Sequence, residues 1–268
     1  MNNLVFETSS LESKALEALF NDEIYVLVVR NYVRGELSRK YGEIIFSSDE
    51  LEKYYYEVSD SGERKSLFLG VSRYGVSFST TFGRPENSPE KQKYYISALP
   101  NITRIRELFD PYLSPIDKLR LDLDELYVHG ANIAQFENKK MFCGIARVTH
   151  CDLDLQERNP HVDSLPPEFF LQRQFSANIY LSTPPVGGDL IVYPMKPLSA
   201  QEVDDFEANQ KLWSSKLPEG IRIKPNNGDL ILINTRRPHA VTKFTDGTRV
   251  SLQTFIGVNE NRPLQLWC

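Results

Sequence analysis

The chain has 268 residues, a formal net charge of −5 and 41% hydrophobic residues, enough for a sizeable core and too evenly mixed in charge for the basic stripe of a nucleic-acid binder. No run reaches the roughly 18 uncharged apolar residues of a membrane span, and residues 1–7 lack the basic and apolar regions of a secretory signal. Cys143, Cys151 and Cys268 have no metal-ligand spacing and are expected as free thiols in a reducing cytoplasm, with Cys143 a small core residue.

Ser9 and Ser10 offer an N-cap ahead of Ala15, Leu16, Leu19 and Phe20, whose spacing predicts a short amphipathic helix. Residues 24–33, built on Tyr25-Val26-Leu27-Val28-Val29, predict a strand buried on both faces within the main sheet. Ser48-Asp49-Glu50-Leu51-Glu52 predicts the start of another helix, and residues 67–82, alternating irregularly around Gly70 and Gly75, predict a hairpin or an active-site flap. Helices are expected over 101–109 and 115–130, the latter with Leu119, Leu123, Leu126 and Tyr127 on one apolar face, packed outside a β core. Strands follow over 141–149, 173–182, 188–193, 221–224, 230–234, 240–244 and 249–258, interrupted by an acid- and Gln-rich helical insertion at 199–215. Loops 85–89 and 156–160 are the expected mobile connections. The whole, residues 1–268, is read as one catalytic domain: a mixed α/β part over 1–138 packing on a core over 139–258. The fold class expected is mainly β with flanking helices, a double-stranded β-helix, or cupin-like jelly roll.

The chemistry is concentrated in His161-Val162-Asp163, a distant His239 and Arg249-Val250-Ser251. His161 and Asp163 stand two apart, so on an extended segment both side chains leave from one face and can grip one ion. Two imidazoles and one carboxylate suit a divalent iron that keeps open coordination positions. A turn at Asp246-Gly247 is expected to close a hairpin that sets Arg249 beside the metal-bearing strand. The remaining histidines, His129 and His150, have no such context and are expected to be partly buried or solvated.

This pattern resembles that of the Fe(II)- and 2-oxoglutarate-dependent oxygenases: His-X-Asp, a distant His, and an Arg about ten residues later, often as Arg-X-Ser. Two further stretches support it. Residues 176–193 resemble the core hairpin of that superfamily, and residues 226–233 resemble the strand before its distal histidine. The resemblance covers residues 141–258 and is nearest to the small freestanding hydroxylases of amino acids and natural products, with their halogenase-like relatives. It implies Fe(II) held by His161, Asp163 and His239, with 2-oxoglutarate and O2 as cosubstrates and succinate and CO2 released. Arg249 would then neutralise the far carboxylate of 2-oxoglutarate through two parallel bonds, helped by the Ser251 hydroxyl on the same strand face. Asn178 is a further candidate at the cosubstrate and shares a face with Ser176 and Tyr180. Because Asp163 is present, where the halogenases leave room for halide, hydroxylation is expected over chlorination; desaturation and ring closure stay open.

For the substrate, Arg147 either projects into the barrel to hold a carboxylate or faces outward. Arg73, Tyr74 and Phe78 are candidates for a lid or for core packing, and Arg236 and Arg237 either neighbour the site or are solvated. A small metabolite, an amino acid or a derivative of one, is the expected substrate, with no nucleic-acid or membrane partner. A metal-binding jelly roll that senses without turnover is the reading from another class; the dedicated dicarboxylate anchor counts against it. A peptidyl hydroxylase is a third, disfavoured because no separate docking domain is evident.

Overall fold

The computed structural model describes residues 4–60, 63–151, 159–166 and 170–268. The chain runs β1 (Val5–Thr8), α1 (Ser13–Phe20), β2 (Val26–Val29), α2 (Gly35–Phe46), β3 (Glu52–Asp60) and β4 (Glu63–Tyr74) into a 3-10 turn at Phe78–Thr81. Two helices follow, α3 (Pro89–Leu108) and α4 (Pro115–Leu126). Each is opened by a serine, Ser88 or Ser114, that accepts a backbone N–H, and by a proline in the first turn, where no donor is lost. Short strands β5 (Ala131–Ile133), β6 (Gln135–Phe136) and β7 (Lys139–Lys140) lead to β8 (Ile145–His150), β9 (Arg173–Ser182) and β10 (Leu190–Val192). Then come α5 (Ala200–Ala208), α6 (Gln210–Ser214), β11 (Ile221–Ile223), β12 (Leu230–Asn234), β13 (His239–Val241), β14 (Thr248–Val258) and β15 (Leu264–Trp267).

Apart from β6 and β7, which pair only with each other, the strands form two facing sheets. The larger has the order β1-β2-β12-β9-β14-β8-β4-β3, with β15 pairing the far half of β14 and β5 pairing β15. The smaller is β11-β10-β13, widened by an antiparallel bridge between His161 and His239. Strand alternation sorts the side chains of the larger sheet. Phe175, Ala177, Ile179 and Leu181 of β9 join the core under the helices, whereas Tyr180 joins Val26, Val28, Ile231 and Ile233 in a second cluster with Leu190, Val192 and Ile223 of the smaller sheet. That second cluster marks the space between the sheets. All four residues of β2 are fully buried, as a strand packed on both faces requires. The jelly roll with outer helices is the expected fold, and among the described residues no helix is long and apolar enough to cross a membrane.

Several local expectations are corrected. The expected helix at Ser48 is a turn, in which the Ser48 hydroxyl accepts the Glu50 N–H, and the chain then pairs with β4 as β3. Ahead of it stands α2, for which no element was expected, with Gly42 mid-helix, where glycine costs conformational entropy. The structure shows its use: a Cβ there would stand 3.3 Å from Ser182 Cβ and 3.4 Å from the Leu181 backbone, so the glycine lets α2 lie directly on β9. The helix expected over 101–109 begins twelve residues earlier, at Pro89, and carries Pro100 inside it.

Neither the hairpin expected through Asp246-Gly247 nor the one read over 176–193 forms. β13 belongs to the smaller sheet and β14 to the larger, so the chain through Asp246-Gly247 crosses between sheets, and β9 and β10 are separated in the same way. Gly187, at φ 76°, turns the second of these corners, where a Cβ would meet the Lys243 carbonyl at 2.0 Å. Within the loop expected at 85–89, the Ser88 N–H is bonded to the Pro85 carbonyl; of the loop at 156–160, residues 156–158 lie outside the described residues. Cys143 and Cys268 are buried free thiols whose pKa burial pushes up, that of Cys268 to about 11, which leaves both protonated and inert.

Candidate metal and cosubstrate site

The backbone alone brings the three candidate ligands together. His161 and His239 are direct partners across their bridge, each N–H donating to the other's carbonyl at 2.9 Å, and the Asp163 N–H donates to the Thr235 carbonyl at 3.0 Å. The two imidazole centroids are 4.4 Å apart, and His239 Nε2 lies 3.8 Å from Asp163 Oδ2. One ligand atom from each of the three residues falls within 4.8 Å of the others. Two bonds of about 2.1 Å at right angles to a common ion set their donor atoms about 3 Å apart, so the three side chains close by about 1–2 Å to complete the site.

Hydrogen bonding fixes which nitrogens are available. His161 Nδ1 is 3.0 Å from the Asn159 carbonyl and His239 Nδ1 is 3.0 Å from the Arg237 carbonyl. A carbonyl only accepts, so each Nδ1 carries the proton and each Nε2 offers its lone pair, the arrangement that orients metal-binding imidazoles. In the smaller sheet His239 is the register partner of Val192, whose side chain faces the inter-sheet cluster, so both share that inward face. The donor set fits a divalent iron with open positions.

Arg249 reaches the same space from the opposite sheet. It is 6% exposed, its guanidinium lies 5.1 Å from the Tyr180 ring centroid, and its Nη2 donates to the Tyr180 hydroxyl at 3.3 Å. Its Nε has no hydrogen-bond partner among the described residues. A buried guanidinium with an unmet donor is costly unless an acceptor arrives. Ser251, almost fully buried, is the register partner of Tyr180 and shares the inward face of β14 with Arg249. Asn178 is on that face too, opposite Gln253, and donates to the Ser176 hydroxyl at 3.3 Å.

The remaining candidates separate by strand parity. Arg147 is the register partner of Ser251, and Arg73 is the register partner of Arg147, so both arginines face inward. Tyr74, next along β4, therefore faces outward; it is buried in the core under the helices with the Arg104 guanidinium 5.1 Å from its ring centroid. Phe78 is fully buried against Phe82, Tyr94 and Tyr95. Neither forms a lid. Arg236 and Arg237 are buried rather than solvated: Arg236 Nε donates to the Leu198 carbonyl, while Arg237 pairs with Asp22 at 2.9 Å over the Tyr25 ring. His129 packs on Tyr127 and His150 on Phe46, away from the triad.

Sequence reasoning did not single out two neighbours of Arg147: Tyr54, whose ring centroid is 5.8 Å from its guanidinium, and Gln253, whose side-chain oxygen accepts from it at 2.9 Å. Gln253 was within reach, two residues past Ser251 on the same strand face. Tyr54 had no local signal, since it arrives from β3, almost two hundred positions from β14. A cleft of about 610 Å³ on the helical layer, lined by Arg106, Tyr112 and Arg120 among others, has none of these donor residues.

No curated protein matches the chain in sequence. Among solved structures, an N-substituted L-amino acid dioxygenase from Burkholderia ambifaria AMMD is similar with a TM-score of 0.62 at 16% identity, covering 96% of this chain and 91% of that one. The structure of such an enzyme from the same organism in complex with alpha-KG is similar at 0.61 and 15%, with the same coverage. At that identity the likeness establishes a shared fold. The sequence profile of the 2OG-Fe(II) oxygenase superfamily matches residues 146–257, the segment that holds His161, Asp163, His239 and Arg249. That segment, with its three candidate metal ligands and the buried arginine, is similar to the core of the 2OG-Fe(II) oxygenase superfamily, the family of 2-oxoglutarate-dependent non-haem iron dioxygenases.

Proposed function

We propose that the enzyme hydroxylates an unactivated C–H bond of a small metabolite, an amino acid or a derivative of one, in a single catalytic domain. The observation that carries this reading is the pairing of the His161, Asp163 and His239 donor set with a buried Arg249 on the facing sheet. In it, His161, Asp163 and His239 hold Fe(II), and Arg249 and Ser251 bind the far carboxylate of 2-oxoglutarate. The inward Asn178 lies along the same face. When bound, the iron and its cosubstrates supply the oxidant, with succinate and CO2 released.

The protein's part is to place and shield. Asn159 and Arg237 carbonyls hold both imidazoles in the ligating tautomer. The Tyr180 ring backs the Arg249 guanidinium, and Val192, Ile231 and Ile233 keep water from the space between the sheets. The amino-acid class is supported by the N-substituted L-amino acid dioxygenase that shares the fold. Desaturation or ring closure by the same oxidant differs only in the fate of the substrate radical. The test is to load the protein with Fe(II) anaerobically, add 2-oxoglutarate with free and N-substituted amino acids, and admit air. A product heavier by about 16 mass units with matching succinate is expected; a loss of about 2 would move the assignment to desaturation, and 2-oxoglutarate turnover that no candidate stimulates would refute the amino-acid reading.

A further inference from the structure

Arg73 and Arg147 stand directly opposite each other on β4 and β8, both facing the space between the sheets. Like charges in direct cross-strand register repel. The Tyr54 ring takes part of the charge, with the Arg73 and Arg147 guanidiniums 5.4 and 5.8 Å from its centroid. Tyr54 is itself pinned by its hydroxyl, 2.8 Å from Ser77 Oγ and 2.7 Å from Ser79 Oγ. Gln253 holds Arg147 through a 2.9 Å bond from Nη1 to its side-chain oxygen.

Arg73 has unmet donors. Its Nη2 reaches Glu52 at 3.3 Å, but that carboxylate is 69% exposed, so the pair is weak. Its Nε and Nη1 are buried with no hydrogen-bond partner among the described residues. An anion between the two guanidiniums would ease their repulsion and meet the orphaned donors of Arg73 at once. The metal and 2-oxoglutarate do not need it, because Arg249 already balances their charge. Arg147 also lies across from Ser251, one step along the same face from Arg249, which places the two arginines beside the cosubstrate.

Resting on the function proposed above, we infer that Arg73 and Arg147 form a clamp for the carboxylate of the substrate, seated on Tyr54. The clamp makes the enzyme selective for acids over the corresponding amides. It acts as a second anion site, separate from Arg249.

The test uses the full chain loaded with Mn(II), which blocks turnover, and saturated with 2-oxoglutarate. The probes are the twenty N-acetyl-L-amino acids, their primary amides, the free amino acids and O-phosphoserine, with binding read by calorimetry. At least one carboxylate is expected to bind about tenfold or more tightly than its amide, and Arg73→Gln and Arg147→Gln each to erase that preference while 2-oxoglutarate binding stays within about twofold. Arg73→Lys, which keeps the charge but not the fork, recovers part of it. If amides bind as well as acids, if no acid binds, if O-phosphoserine alone binds, or if both Gln variants keep the wild-type preference, the clamp is overturned. Failure of the wild-type protein to bind 2-oxoglutarate at all would instead overturn the underlying functional reading.

Discussion

Arg249→Ala should separate function from stability with opposite signs. In the free protein Arg249 is a 6% exposed cation with an unmet Nε and only a long bond to Tyr180. Removing a buried charge of that kind leaves only the Tyr180 hydroxyl and no opposite charge behind, so the ligand-free variant is expected to unfold at or above the wild-type temperature. Binding should move the other way. Stripping a buried carboxylate of its guanidinium costs about 2–4 kcal/mol, a rise in the dissociation constant of roughly 30-fold to several hundred-fold. The assay is calorimetry on Mn(II)-loaded protein with two keto acids, 2-oxoglutarate and 2-oxobutyrate, which lacks the far carboxylate. The variant should lose affinity for the first and keep that for the second. In thermal unfolding, the roughly 2.7 kcal/mol that 2-oxoglutarate contributes at a hundredfold excess over its dissociation constant should largely vanish. Equal losses for both keto acids would refute the assignment, because Arg249 would then be acting on the metal end or on the fold.

His161→Ala, Asp163→Ala and His239→Ala should each abolish tight Fe(II) or Mn(II) binding, since two anchors compete poorly with water; metal retained at stoichiometry in any two of them would break the triad. Gly42→Val should destabilise by about 1–3 kcal/mol in denaturant titration, because the added carbons drive α2 off Leu181 and Ser182; an unchanged midpoint would deny the close packing. Burial works to raise the Asp117 carboxyl, yet the bonds from Arg106 and Ser114 with the charge of Arg120 outweigh it and hold its pKa below the ordinary 3.8. Its contribution is therefore present above that value and lost as pH falls through the depressed native one, so the stability gap between wild type and Asp117→Asn should narrow between neutral pH and pH values below 3.8. A constant gap would show that the carboxylate's charge is not what matters.

By itself the sequence determined the site's ingredients. His161 and Asp163 share a face because strand side chains alternate, Arg249 and Ser251 share one for the same reason, and both pairs can be recognised within three residues of chain. The strands over 173–182 and 230–234 were readable likewise, their alternation or continuous apolarity being local. What only tertiary structure decided were the pairings between distant segments. The turns at Gly187 and Gly247 look like hairpin turns in isolation, yet each carries the chain from one sheet to the other, and this is why Arg249 faces the triad from across the gap instead of lying beside it. The use of Gly42, which lets α2 lie on Leu181 and Ser182, exists only once β9 is set against that helix. Tyr74 and Phe78 share a segment with Arg73, but the parity of β4 and the packing of the turn after it send them to the core and Arg73 to the face between the sheets. Tyr54 joins the two arginines only because β3 completes the sheet, a contact whose energy depends on partners remote in sequence and so leaves no periodic trace in it.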